Sequence, residues 1–147
     1  MRFETDHKVQ RIARAVLATA FGAAGVLHLT FPGPFLAITP EWVPWPETVI
    51  QVTGISEIVG AAGLLVPRLR RAAGIGLALY AVCVYPANIK HALDQVDVGS
   101  RLGWWYHGPR LAFQPVIVWW ALWASNAIAW PFRRSRVSLR VVRRQHS

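Results

Sequence analysis

The sequence predicts an all-α fold, an integral membrane four-helix bundle built as one domain over residues 1–147, and three observations carry that expectation. Hydrophobic residues make up 54% of the chain and charged residues 16%. Four apolar runs, at 12–31, 49–67, 72–89 and 111–130, each approach the roughly 20 residues that a helix needs to cross a hydrocarbon core. The run Gly74–Val84 (GIGLALYAVCV) lacks the polar stripe at 3.6 spacing that a helix of a soluble bundle would show.

The first run, Ile12–Phe31, is too long for the h-region of a signal peptide and is followed by three more, so no cleaved leader is expected. It closes near His28. The connection after it, FPGPFLAITPEWVPWPETV, holds five prolines and two tryptophans and is expected to be a stiff, non-helical loop at the membrane interface, either an anchor or a lid. The second run, VIQVTGISEIVGAAGLLVP, contains one formal charge, Glu57. A carboxylate there costs roughly 2.5–3.5 kcal/mol on insertion scales, which makes it a functional-site candidate. VPRLRR then forms a tight hairpin into the third run.

Pro86 near the end of that third run removes a backbone donor and predicts a kink. Cys83 is the sole cysteine, so dithiol chemistry by this chain alone is excluded, and the residue is expected to be an inert buried one. The segment Lys90–Gly108 is expected to be a polar connection that Trp104, Trp105 and Tyr106 return to the interface. In the fourth run Trp119, Trp120 and Trp123 are expected to face lipid. Gly22, Gly25, Ser56, Gly60, Gly63, Gly74 and Gly76 supply small surfaces for helix contact.

Thirteen of the sixteen Lys and Arg lie in the N-terminal segment with the start of the first run, between the second and third runs, or after the fourth. Both termini should therefore be cytoplasmic. The basic tail, 132–147, follows a crossing directly, so its arginines are expected to meet anionic lipid headgroups and not nucleic acid.

With that topology the polar groups gather in one leaflet. Glu57 lies eight residues from the outer end of its run, about 12 Å down at 1.5 Å per residue. His28, Asn88, His91, Arg110 and Gln114 sit at the matching ends of the other three runs. Arg110 is the expected counter-ion of Glu57, in a contact direct or through water, with Gln114 beside it. The set reads either as a structural polar core or as a ligand pocket, and the pocket is favoured. No HxxxH or ExxH pattern accompanies the histidines, so no metal is expected.

The chain resembles the DoxX-like family of small four-helix bacterial membrane proteins through GVLHLTFPGPFLAITPEWVPWP, TGISEIVGAAGLLVPRLRRAA, VYPANIKHAL and RLAFQPVIVWWALW. The resemblance rests on His28, Pro44, Gly54 with Glu57, Pro86–Ile89, and Arg110 with Gln114. Where members usually read Arg-Leu-Pro-Leu-Gln, this chain has Ala112 and Phe113. The resemblance implies a bacterial inner (plasma) membrane location. It also implies an association with redox systems, since the family takes its name from a subunit of a thiosulfate to quinone oxidoreductase. Related four-helix families include a lipid- or sterol-binding group and a receptor-assembly chaperone, so the fold alone does not fix an activity.

Three functions remain open on these residues. The leading one is an accessory membrane protein, not an enzyme on its own, whose outer-leaflet pocket of His28, Glu57, Asn88, His91, Arg110 and Gln114 takes a quinone or another lipid beside a redox partner protein. The second is an enzyme with Glu57 as catalytic general acid or base. The third is an assembly factor for another membrane protein. A homo-oligomer is compatible with all three.

Overall fold

Long apolar runs with no alternating pattern close their backbone hydrogen bonds within the segment, and each such run here is helical. The structure, a computed structural model, describes residues 2–97 and 103–128. Its helices are α1 (Arg2–Thr30), α2 (Gly33–Ala37), α3 (Pro46–Leu65), α4 (Arg70–Asp97) and α5 (Gly103–Ala124). No strand occurs among the described residues. The basic tail lies outside them.

Three of these helices are long and apolar enough to cross a membrane, over Lys8–Thr30, Pro46–Leu65 and Arg70–Gln95. The fourth expected crossing, 111–130, corresponds to α5, which does not join them. Its first half carries Tyr106, His107, Arg110 and Gln114, and residues 129 and 130 lie outside the described part of the chain.

The helices overrun the apolar runs. α1 starts ten residues before Ile12. α4 continues through Pro86 and past Ile89 to Asp97, where Lys90 and Asp94 pair at i and i+4 with a 2.5 Å contact. Much of the segment expected to be a polar connection is therefore helix. α5 likewise begins at Gly103 and runs through Pro109 and Pro115. The proline-rich connection, expected to be non-helical, includes the five-residue α2, with proline in its first turn, where a missing N–H leaves no bond unmade. Trp45 adopts φ 47° immediately before Pro46, which opens α3.

α1 packs on α3, α3 on α4, α4 on α5, and α5 back on α1, while α2 rests on α3. Two glycine contacts set how near the backbones come. A Cβ on Gly25 would lie 2.6 Å from the Gly54 carbonyl oxygen, and one on Gly74 would lie 2.7 Å from the Ala121 carbonyl oxygen. Gly76 faces open space instead. Leu17, Ala18, Ala61, Leu64, Leu77, Ala78, Ala121 and Ala124 form the buried core, mostly small residues that permit close helix approach.

Two expectations are corrected by this packing. Trp123 is buried in that core, stacked on Trp119 at 5.6 Å between ring centroids, and Trp119 and Trp120 are half-buried, so the three do not form a lipid-facing row. Cys83, expected to be buried, is exposed.

Candidate functional site

α1 and α3 run antiparallel where they touch, so that Gly25 faces Glu57 and Gly54 faces His28, and each glycine leaves room for the polar side chain opposite it. The His28 Nδ1 lies 3.0 Å from the Glu57 Oε2. Glu57 is 4% exposed and lies eleven residues past Pro46 in a 20-residue helix, close to its midpoint.

His28 Nδ1 is also 2.9 Å from the carbonyl oxygen of Ala24. Two acceptor oxygens around one ring nitrogen require that nitrogen to carry the hydrogen. The carbonyl takes the hydrogen bond, whereas Oε2 of Glu57 sits at ion-pair distance and has no aligned donor. Tyr80 of α4 presents its hydroxyl to the same carboxylate, and the Tyr80 ring packs edge-on against Phe21 at 6.4 Å. Phe35, from α2, stacks on the His28 ring at 3.8 Å and 22°. The α2 segment thereby covers the pair.

Arg110 makes no direct ion pair with Glu57, so the direct form of the expected contact is absent. Its Nη2 donates to the Asn88 Oδ1 at 2.6 Å, joining α5 to α4. Gln114 is buried and its Nε2 donates to the Ala81 carbonyl oxygen at 2.7 Å. The physical reason is proximity. The facing helix supplies an amide for Arg110, while α1 supplies an imidazole for Glu57 at shorter range.

These separate contacts still border one cavity of about 550 Å³. His28, Glu57, Tyr80, Asn88, Arg110 and Gln114 give its polar points. Its walls are otherwise apolar, from Leu17, Phe21, Ile50, Val84, Phe113, Ile117 and Trp120, and Phe35, Ile38, Trp42 and Val43 close over it from the proline-rich connection. Cys83 also borders it. Five of the six expected site residues thus meet at one space. The sixth, His91, does not. It contacts the His107 ring edge-on at 5.3 Å and borders a smaller cavity of about 230 Å³ with Lys90, Asp94 and Glu41.

Sequence reasoning missed Tyr80 and Phe35. Tyr80 lies inside an apolar run with no polar neighbour to single it out, and Phe35 looked like an interfacial anchor. Helical spacing offered one signal, since Tyr80 and Val84 lie one turn apart on the face that leads to Asn88. No cluster of His, Cys, Asp and Glu among the described residues is arranged to hold a metal ion.

Comparison with curated proteins and with solved structures finds no match. A family profile, "Domain of unknown function (DUF8561)", matches residues 17–125, a span that runs from the second half of α1 to the end of α5 and includes every residue bordering the cavity. The chain belongs to the DUF8561 family.

Proposed function

We propose that this protein is a DoxX-like four-helix bundle of the bacterial inner membrane, with both termini cytoplasmic, that holds a small lipophilic molecule and serves a membrane redox system as an accessory component. The cavity is the observation that carries the reading. At about 550 Å³ it falls within the range of small-molecule sites, and it pairs apolar walls with a few convergent polar groups. A quinone or another lipid with a carbonyl or hydroxyl head fits that division of chemistry. The Glu57 carboxylate, which borders the cavity, would accept a hydroxyl hydrogen, and Arg110, held by Asn88, would donate to a carbonyl. Arg110 is also suited to an electron-rich ring, because a guanidinium stacks as well as donates. The topology rests on the uneven placement of Lys and Arg, and the link to redox partners rests on the family resemblance.

Organic extraction and mass spectrometry of the gently solubilised protein test this reading. One lipophilic species should co-purify with the wild type and be depleted from Glu57→Gln, which keeps the shape, removes the charge and replaces one acceptor oxygen with a donor. Equal retention by the two would overturn the pocket.

A second reading is favoured by the 3.0 Å approach of His28 to Glu57, an acid beside an imidazole in a covered cavity. Such a couple can move a proton on a bound molecule. Turnover by the purified chain, abolished in His28→Asn and Glu57→Gln alike, would favour an enzyme over an accessory protein.

A further inference from the structure

Far from the cavity, at the other end of the helices, three arginines converge without a described acid among them. Arg14 of α1 is 8% exposed, and its Nε donates to the Ala124 carbonyl oxygen at 2.8 Å, at the last residue of α5. Gln10, one turn earlier, donates to the Trp123 carbonyl oxygen at 3.2 Å. These bonds fix the Arg14 side chain against the end of α5. They use Nε and leave the two terminal amines of its guanidinium without a hydrogen-bond partner among the described residues.

Arg70 opens α4, which meets the end of α5 where Gly74 touches Ser125. Its charge and that of Arg11 both act repulsively on Arg14. The Nε of Arg70 is buried and has no hydrogen-bond partner among the described residues. Of the acids further along the chain, Glu57 lies in the middle of its helix, Glu47, Asp94 and Asp97 lie at the opposite ends of theirs, and Glu41 lies in the connection at that opposite end. Along the chain, Asp6 and Glu4 precede Arg11 by five and seven residues, more than a helical turn.

Bringing like charges together, one of them buried, is unfavourable unless an anion joins them. The first turn of α4 adds its positive dipole end to the same place. We infer that Arg11, Arg14 and Arg70 form a binding site for a phosphate group between α1, α4 and the end of α5. The guanidinium forks suit a phosphate monoester or diester, because each can donate two parallel bonds to its oxygens. Two sources carry that chemistry, the headgroup of an anionic phospholipid and free phosphate.

Native mass spectrometry of the full chain in detergent, supplied with phosphatidylglycerol and phosphatidylcholine at equal concentration, tests the site. The wild type should retain phosphatidylglycerol with a preference of about fivefold or more, the factor expected of one arginine at a headgroup. Arg70→Gln should abolish the preference, since that side chain's Nε makes no internal bond whose loss would unfold the protein. Arg71→Gln, its exposed neighbour, removes the same charge from the same helix and should leave the preference nearly intact. In the second arm, inorganic phosphate without lipid is added and thermal unfolding is followed. A rise in Tm for the wild type and not for Arg70→Gln, without lipid preference, identifies free phosphate as the source. Phosphatidylglycerol retained in the presence of excess inorganic phosphate identifies the lipid. Equal retention of both lipids with no effect of phosphate, or equal losses in Arg70→Gln and Arg71→Gln, would overturn the site.

Discussion

Glu57 and His28 show how a costly side chain is accommodated inside an apolar segment. A lone carboxylate at the midpoint of α3 would be unfavourable, and the imidazole from α1 and the phenol from α4 reach it where Gly25 and Gly54 let the backbones touch. His28→Ala removes one partner and leaves the acid buried, so thermal unfolding in detergent should show a loss on the order of 3 kcal/mol. A double-mutant cycle between His28 and Glu57 should give a coupling of about 1–3 kcal/mol, whereas the cycle between Arg110 and Glu57 should come out additive to within about 0.5 kcal/mol. The candidate residues were legible in the sequence because polar groups in apolar runs are conspicuous. Their partners were not. Which acceptor Arg110 meets depends on the rotation of α5 about its axis, and Asn88, expected as a fellow pocket residue, turns out to be that acceptor.

At the level of elements, the helices were legible and their ends were not. Hydropathy marks where a segment is apolar, while a helix continues as far as its residues form helix well, which is why α1 and α4 extend into polar sequence. Glycine positions carry a similar lesson. Gly25→Ala places a methyl group 2.6 Å from the Gly54 carbonyl oxygen, so α1 and α3 must separate, and a loss of about 1–3 kcal/mol is expected in thermal or denaturant unfolding. Gly76→Ala meets nothing within 4 Å and should be neutral or stabilising by up to about 1 kcal/mol, from helix propensity alone. The end of α5 supplies a third test at this scale. Arg14→Gln breaks the bond to the Ala124 carbonyl oxygen, and faster amide exchange confined to the last turn of α5 should accompany a loss of about 1.5–3 kcal/mol.

Across the whole molecule, the four long helices neighbour one another in a closed order, with polar side chains meeting in a cavity near one end and arginines gathered at the other. If both termini are cytoplasmic, single cysteines placed at Glu41 and at Arg136 in a Cys83→Ser background should differ. The first should react with an impermeant thiol reagent in intact cells and the second only after lysis; the reverse pattern would invert the topology. By itself the sequence determined that the chain is helical, that it holds segments long and apolar enough to cross a membrane, four by its own count against three such helices among the described residues, and that Glu57 is a residue to explain, because apolar length and an isolated charge are properties of the linear chain. Tertiary structure alone decided that Glu57 meets His28 and Tyr80, that Arg110 meets Asn88, that Trp123 of α5 turns inward and that His91 leaves the group. Those outcomes follow from helix rotation and the depth of helix contact. Both are set by small residues on two elements at once, so neither can be read along one of them.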